Sequence, residues 1–123
     1  MITISGCVIK GVGDFRQRMI ASPEVFLGAT GENLFPGTLN ISVDKEIPIK
    51  EHFRIPDMQD LEQDLLFEIC RVGQIWAYRI RPCNRKTGHG GHGDDIIEIA
   101  SSQRIPNAQE GAALQISFFR DDR

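Results

Sequence analysis

Thr38 and Asn40 stand two residues apart directly behind Pro36-Gly37 and together offer a hydroxyl and an amide carbonyl. Pro36 presets φ for the second position of a turn, and Gly37 accepts the positive φ that a type II turn needs next. The alternation that follows predicts a strand with Thr38, Asn40 and Ser42 on one face and Leu39, Ile41 and Val43 on the other. On such a strand the two oxygens lie roughly 6 to 7 Å apart. That pair suits a hard cation that keeps water or phosphate oxygens as its remaining ligands. The same residues also serve as ordinary strand and turn formers on a wet face, so spacing alone leaves both readings open.

Three other stretches carry chemistry. Gly11-Val12-Gly13-Asp14 follows the first apolar run, and a strand ending in a glycine turn can present backbone N–H groups to an anion. Arg16 and Arg18 would strengthen such a site, although nothing matches the P-loop pattern G-x-x-x-x-G-K-[ST]. His89, His92, Asp94 and Asp95, with Cys83 nearby, could gather a transition metal in a hydrolase. H-x-x-H on a glycine loop lacks the fixed spacing that a helix supplies. Glu98 is a lone carboxylate within Ile96-Ile97-Glu98-Ile99-Ala100. It is paired, exposed at an edge, or functional, because burying an unpaired charge costs several kcal/mol.

The elements that must position these residues read as mainly β. Ile2 to Lys10 is a strand with Gly6 as a bulge or close-approach point, and Ser22-Pro23-Glu24 opens a short helix that Gly28 stops. His52 to Ile55 is a short extended piece, and the charges of Asp57 to Asp64 form a solvated surface. Leu65–Val72 and Ile75–Arg81 form a hairpin about Gly73-Gln74, with Trp76, Tyr78 and Ile80 on one face and Ala77, Arg79 and Arg81 on the other. Both arginines are either half-exposed barrel residues or face whatever the sheet binds. Ile96–Ala100 and Ala113–Phe119 complete about six strands with one or two short helical turns and no βαβ rhythm. So many short strands predict a small closed β-barrel, because closure removes exposed edges.

Composition bounds the function. The chain has 123 residues and a net charge of -3. It is expected to be one domain without a basic field for a nucleic-acid backbone. Three scattered cysteines show no C-x-x-C, which argues against a disulfide framework or a four-thiolate zinc site. No apolar run approaches the ~18 residues of a membrane span, and no charged n-region precedes a signal core, so a cytoplasmic location is expected.

Taken in order, the G-x-G turn, Phe35-Pro36-Gly37-Thr38-Leu39-Asn40, Arg81-Pro82 followed by a T-x-H at Thr87, the I-I-E-I strand and an arginine-containing turn resemble the CTP-dependent riboflavin kinases best known from archaea. The resemblance spans nearly the whole chain and is strongest at Pro36 to Asn40. It implies a six-stranded cradle-loop (RIFT-related) barrel that uses CTP and Mg2+ to convert riboflavin to FMN, releasing CDP. It also implies nucleotide phosphates on Gly11, Val12, Gly13, Asp14, Phe15 and Arg16, and Mg2+ on Thr38 and Asn40. Cytidine contacts are implied at Gln103, Arg104, Ile105 and Pro106, and flavin contacts at Thr87 and Glu98. Glu98 is the matched carboxylate placed to act as general base toward the ribityl hydroxyl. The pattern departs in places. Phe15 stands where a third glycine is usual, the T-x-H loop is longer, so that either His89 or His92 fills the histidine's place, and Gly111-Ala112 replaces a Gly-Asp pair. These departures frame an alternative, a diverged barrel that binds flavin or nucleotide without catalysis.

Overall fold

The computed structural model describes residues 1–11, 15–56, 64–83 and 93–120. Among the described residues seven strands occur in chain order: β1 (Ile2–Ile9), β2 (Leu39–Ser42), β3 (Phe53–Ile55), β4 (Leu65–Val72), β5 (Ile75–Pro82), β6 (Ile96–Ala100) and β7 (Ala113–Phe118). Every pairing is antiparallel, in the order β3-β4-β5-β6-β2-β1-β7, and β4 pairs again with β7. That last pairing closes a six-stranded barrel, as the alternation and turn spacing predict. The expected extended piece is the seventh strand. It lies outside the ring, because β4 gives Leu65 to Phe67 to β3 and Cys70 to Val72 to β7.

Period-two alternation divides the apolar residues between two cores. Ile41, Val72, Ala77, Ile97, Ile116 and Phe118 fill the barrel. Leu65, Phe67, Ile80 and Ala100 point outward from it and pack with Phe15, Met19 and Phe26. Those three belong to helices α1 (Phe15–Ala21) and α2 (Pro23–Thr30). Phe15 and Met19, four apart, share one helical face. Sequence reading assigned no helix there because so short an element carries barely one repeat. Nor does Gly28 stop α2. The helix runs through it at a cost of about 1 kcal/mol and ends where Gly31 turns left-handed and donates its N–H to Leu27 O at 2.7 Å.

The inward stripe of β5 settles the place of its arginines. Arg79 and Arg81 follow Ala77 into the interior, and both are buried. The hairpin register sets Arg79 opposite Glu68, which is itself fully buried. Arg79 nitrogens lie 4.0 Å from Glu68 and 3.9 Å from Asp94, and Arg81 Nε lies 2.7 Å from Asp94. Arg120 reaches back to Glu68 with two bonds of 2.6 Å and donates a third to Pro48 O at 2.7 Å. Glu68 also accepts the Lys50 N–H at 3.0 Å. Burial lowers the Arg79 pKa to about 10, against the pull of Glu68 and Asp94, so the guanidinium stays charged at neutral pH.

Among the described residues no helix is long and apolar enough to cross a membrane.

Candidate functional site

Strand β2 begins where two cavities meet. Gly37, at φ +105°, reverses the chain in a conformation that L side chains rarely adopt. Past it, the strand's two faces diverge. Leu39 and Ile99 are cross-strand partners at the barrel end, whereas Asn40 and Glu98 are partners on the outer wall beneath the helical layer.

The first cavity, about 390 Å3, is lined by Gly11, Phe15, Arg16, Gly37, Thr38 and Asn40 among others. It gathers the described part of the expected phosphate and Mg2+ residues in one place. Val12, Gly13 and Asp14 lie outside the described residues. Asn40 is buried, with Gly11 close against its amide, while Thr38 and Ser42 on the same face are half-buried. Thr38 Oγ1 donates to Glu98 Oε1 at 3.1 Å, and Asn40 Nδ2 donates to Thr38 O at 3.4 Å. With its nitrogen so engaged, the Asn40 amide leaves its oxygen available as an acceptor or a cation donor. Thr38, donating its proton to Glu98, keeps lone pairs. A hydroxyl oxygen and an amide oxygen are hard donors of the kind that Mg2+ takes.

Phe15, the first residue of α1, is buried among Met19, Phe26 and Phe67, so it serves helix packing while bordering the cavity.

Gly11 lies close against the Asn40 side chain. A Cβ there would stand 2.6 Å from Asn40 Nδ2. Gly11→Ala is therefore expected to displace the amide and, where Asn40 serves as a cation ligand, to weaken Mg2+ affinity about 10–100-fold, as loss of a ligand's supporting contacts does. Titration of Mg2+-dependent nucleotide binding checks this, and an unchanged affinity would show that the amide is not a ligand.

The second cavity, about 280 Å3, shares Gly37 and Leu39 with the first. Ile99, Gln103, Arg104 and Ile105 line it, so three of the four expected cytidine residues are present and Pro106 is not among them. Sequence reading missed Phe35, which is 55% exposed on its rim. An exposed phenyl beside the strongest motif was the available clue.

A carboxylate straps these walls together. Glu32 accepts hydrogen bonds from Ser102 Oγ at 2.6 Å and from the Tyr78 hydroxyl. The Ser102 bond, then the Tyr78 bond, hold its pKa below the ordinary carboxylate value, while burial and Glu32 push the Tyr78 phenol up to about 12. A depressed carboxylate stabilises the fold above its unfolded pKa and loses that contribution as pH falls through the folded one. A raised phenol loses its contribution as pH climbs from the unfolded value of 10 toward 12. Urea midpoints are expected to fall at both extremes, and Glu32→Gln is expected to flatten the acid limb. An acid limb unchanged in that variant would show that the strap contributes nothing.

Glu98 is buried and reaches this site through its bond to Thr38. Thr87, His89 and His92 lie outside the described residues. Asp94 is engaged with Arg81 and Arg79, and among the described residues no group of three or more His, Cys, Asp or Glu side chains is placed to hold a metal.

The folded chain is a closed antiparallel barrel with two adjoining cavities where β2 begins. No protein-family model matches the sequence, and no curated protein matches it significantly.

Proposed function

We propose that this protein is a riboflavin kinase-like phosphotransferase that takes the terminal phosphate of CTP. One observation carries the reading: the two adjoining cavities share Gly37 and Leu39, with Thr38, Asn40, Arg16 and Gly11 on one side and Gln103 to Ile105 on the other. Together they fall within the ~300–1,000 Å3 typical of small-molecule sites. The sequence resemblance, which rests on many of the same residues, implies the same assignment.

Thr38 Oγ1 and the Asn40 amide oxygen would hold Mg2+, which when bound would supply charge neutralisation to the phosphates. Arg16 adds a fixed positive charge at their flank. The ribityl hydroxyl oxygen forms a bond to the γ-phosphorus as the bond from that phosphorus to the bridging oxygen breaks. Its proton passes to Glu98, and CDP leaves. Glu98 also orients Thr38 through their hydrogen bond, so one carboxylate links the proton acceptor to the cation ligand.

Incubation with riboflavin, Mg2+ and each of CTP, ATP, GTP and UTP is expected to yield FMN, fastest with CTP. Nucleotide or flavin binding with no FMN from any donor would instead establish the non-catalytic barrel. Thr38→Ala is expected to lower turnover mainly through lost cation binding, with partial recovery at high Mg2+. No recovery would exclude Thr38 as a ligand.

A further inference from the structure

We infer that Phe35 is the stacking wall of a slot for one planar heteroaromatic ring, the base of the nucleotide, and is a specificity-determining residue of the smaller cavity. This rests on the nucleotide reading above. Phe35 presents its ring to solvent on the cavity rim, where a large apolar side chain gains little from folding. Its backbone is nevertheless fixed. The Phe35 N–H donates to Ser101 O at 2.9 Å, and Ser101 Oγ donates to Trp76 O at 2.8 Å. Ser101 Oγ also accepts the Gln103 N–H at 3.1 Å. The Glu32 carboxylate binds Ser102 next in line and ties this wall to Tyr78 of the barrel.

The chemistry of the lining selects the ligand. Leu39, Ile99 and Ile105 offer apolar surface, while Gln103 and Arg104 bring polar groups to the same cavity. A ring with apolar faces and a hydrogen-bonding edge satisfies both. An aliphatic chain would leave the polar groups unused. Gly37 and Leu39, common to both cavities, bring such a ring and its phosphates within one molecule's reach.

The test measures binding by calorimetry of the full chain with cytidine, Mg2+ with tripolyphosphate, CTP and riboflavin. It uses the parent protein, Phe35→Ala and Phe35→Trp. Because Phe35 is exposed, truncation spares the core. Phe35→Ala is expected to weaken cytidine and CTP about 5- to 100-fold, the range for loss of one aromatic stacking partner. Phe35→Trp is expected to retain their affinity, and tripolyphosphate is expected to bind all three proteins equally. Equal cytidine affinity in the parent and Phe35→Ala overturns the slot, as does absence of cytidine binding to the parent. Displacement of cytidine by riboflavin assigns the cavity to the flavin and overturns it too. Phe35-dependent cytidine binding without tripolyphosphate binding supports the slot while removing the phosphate site, so the two failures are distinguishable.

Discussion

Glu98→Gln is expected to lower FMN formation in a single turnover by about 10²–10⁴-fold, the usual contribution of a positioned general base. The substitution isolates charge from shape. A glutamine oxygen can still accept the Thr38 hydroxyl, so the cation ligand stays oriented and CTP affinity is expected to persist. What is lost is the ability to take the ribityl proton. The carboxylate is buried on the barrel's outer wall as the cross-strand partner of Asn40, which places it within one side chain of the proposed metal. Full turnover in the variant removes Glu98 as the base. Loss of CTP binding together with turnover would assign it to positioning Thr38 alone.

The second large effect concerns stability. Glu68→Ala is expected to destabilise the fold by about 3–5 kcal/mol, because removing one partner of a buried pair leaves the other charge uncompensated. Arg79 loses a neighbouring carboxylate inside the barrel, Arg120 loses two bonds and the Lys50 N–H loses its acceptor. Urea denaturation of Glu68→Ala and of the double variant Glu68→Leu with Arg79→Met separates the terms. The double variant is expected to recover only the share that comes from leaving Arg79 uncompensated, since apolar replacement of a buried pair is often neutral or stabilising while Arg120 and the Lys50 N–H still lose their acceptor. A loss in Glu68→Ala below ~1 kcal/mol would mean that the pair behaves like an exposed one.

The barrel was legible because its strands carry alternation and its turns carry glycine or proline. Hairpin β4–β5 could be read to its register, since a two-residue connection sets Val72 opposite Ile75 and therefore Glu68 opposite Arg79. The ion pair was thus implicit, yet the arginines' charge argued for exposure and Glu68 was hidden in an apolar run. Alternation also placed Thr38 and Asn40 together but could not say whether their face was wet, because the segment covering Asn40 comes from the distant end of β1. Helix α1 escaped notice for a related reason: Phe15 and Met19 gain their meaning only from Phe67 and Ile80 across the outer core. The smaller cavity is likewise nonlocal. Gln103 to Ile105 were accessible through resemblance, whereas Phe35 becomes part of the site only when the chain after β6 folds against it.

A structure determined with Mg2+ and CDP bears most directly on the two-ligand cation site. Metal density about 2.0–2.1 Å from both Thr38 Oγ1 and the Asn40 amide oxygen, with diphosphate oxygens completing its shell beside Gly11, is the result expected here. A nucleotide bound elsewhere, or a metal held on phosphate and water with those two side chains out of reach, would contradict it.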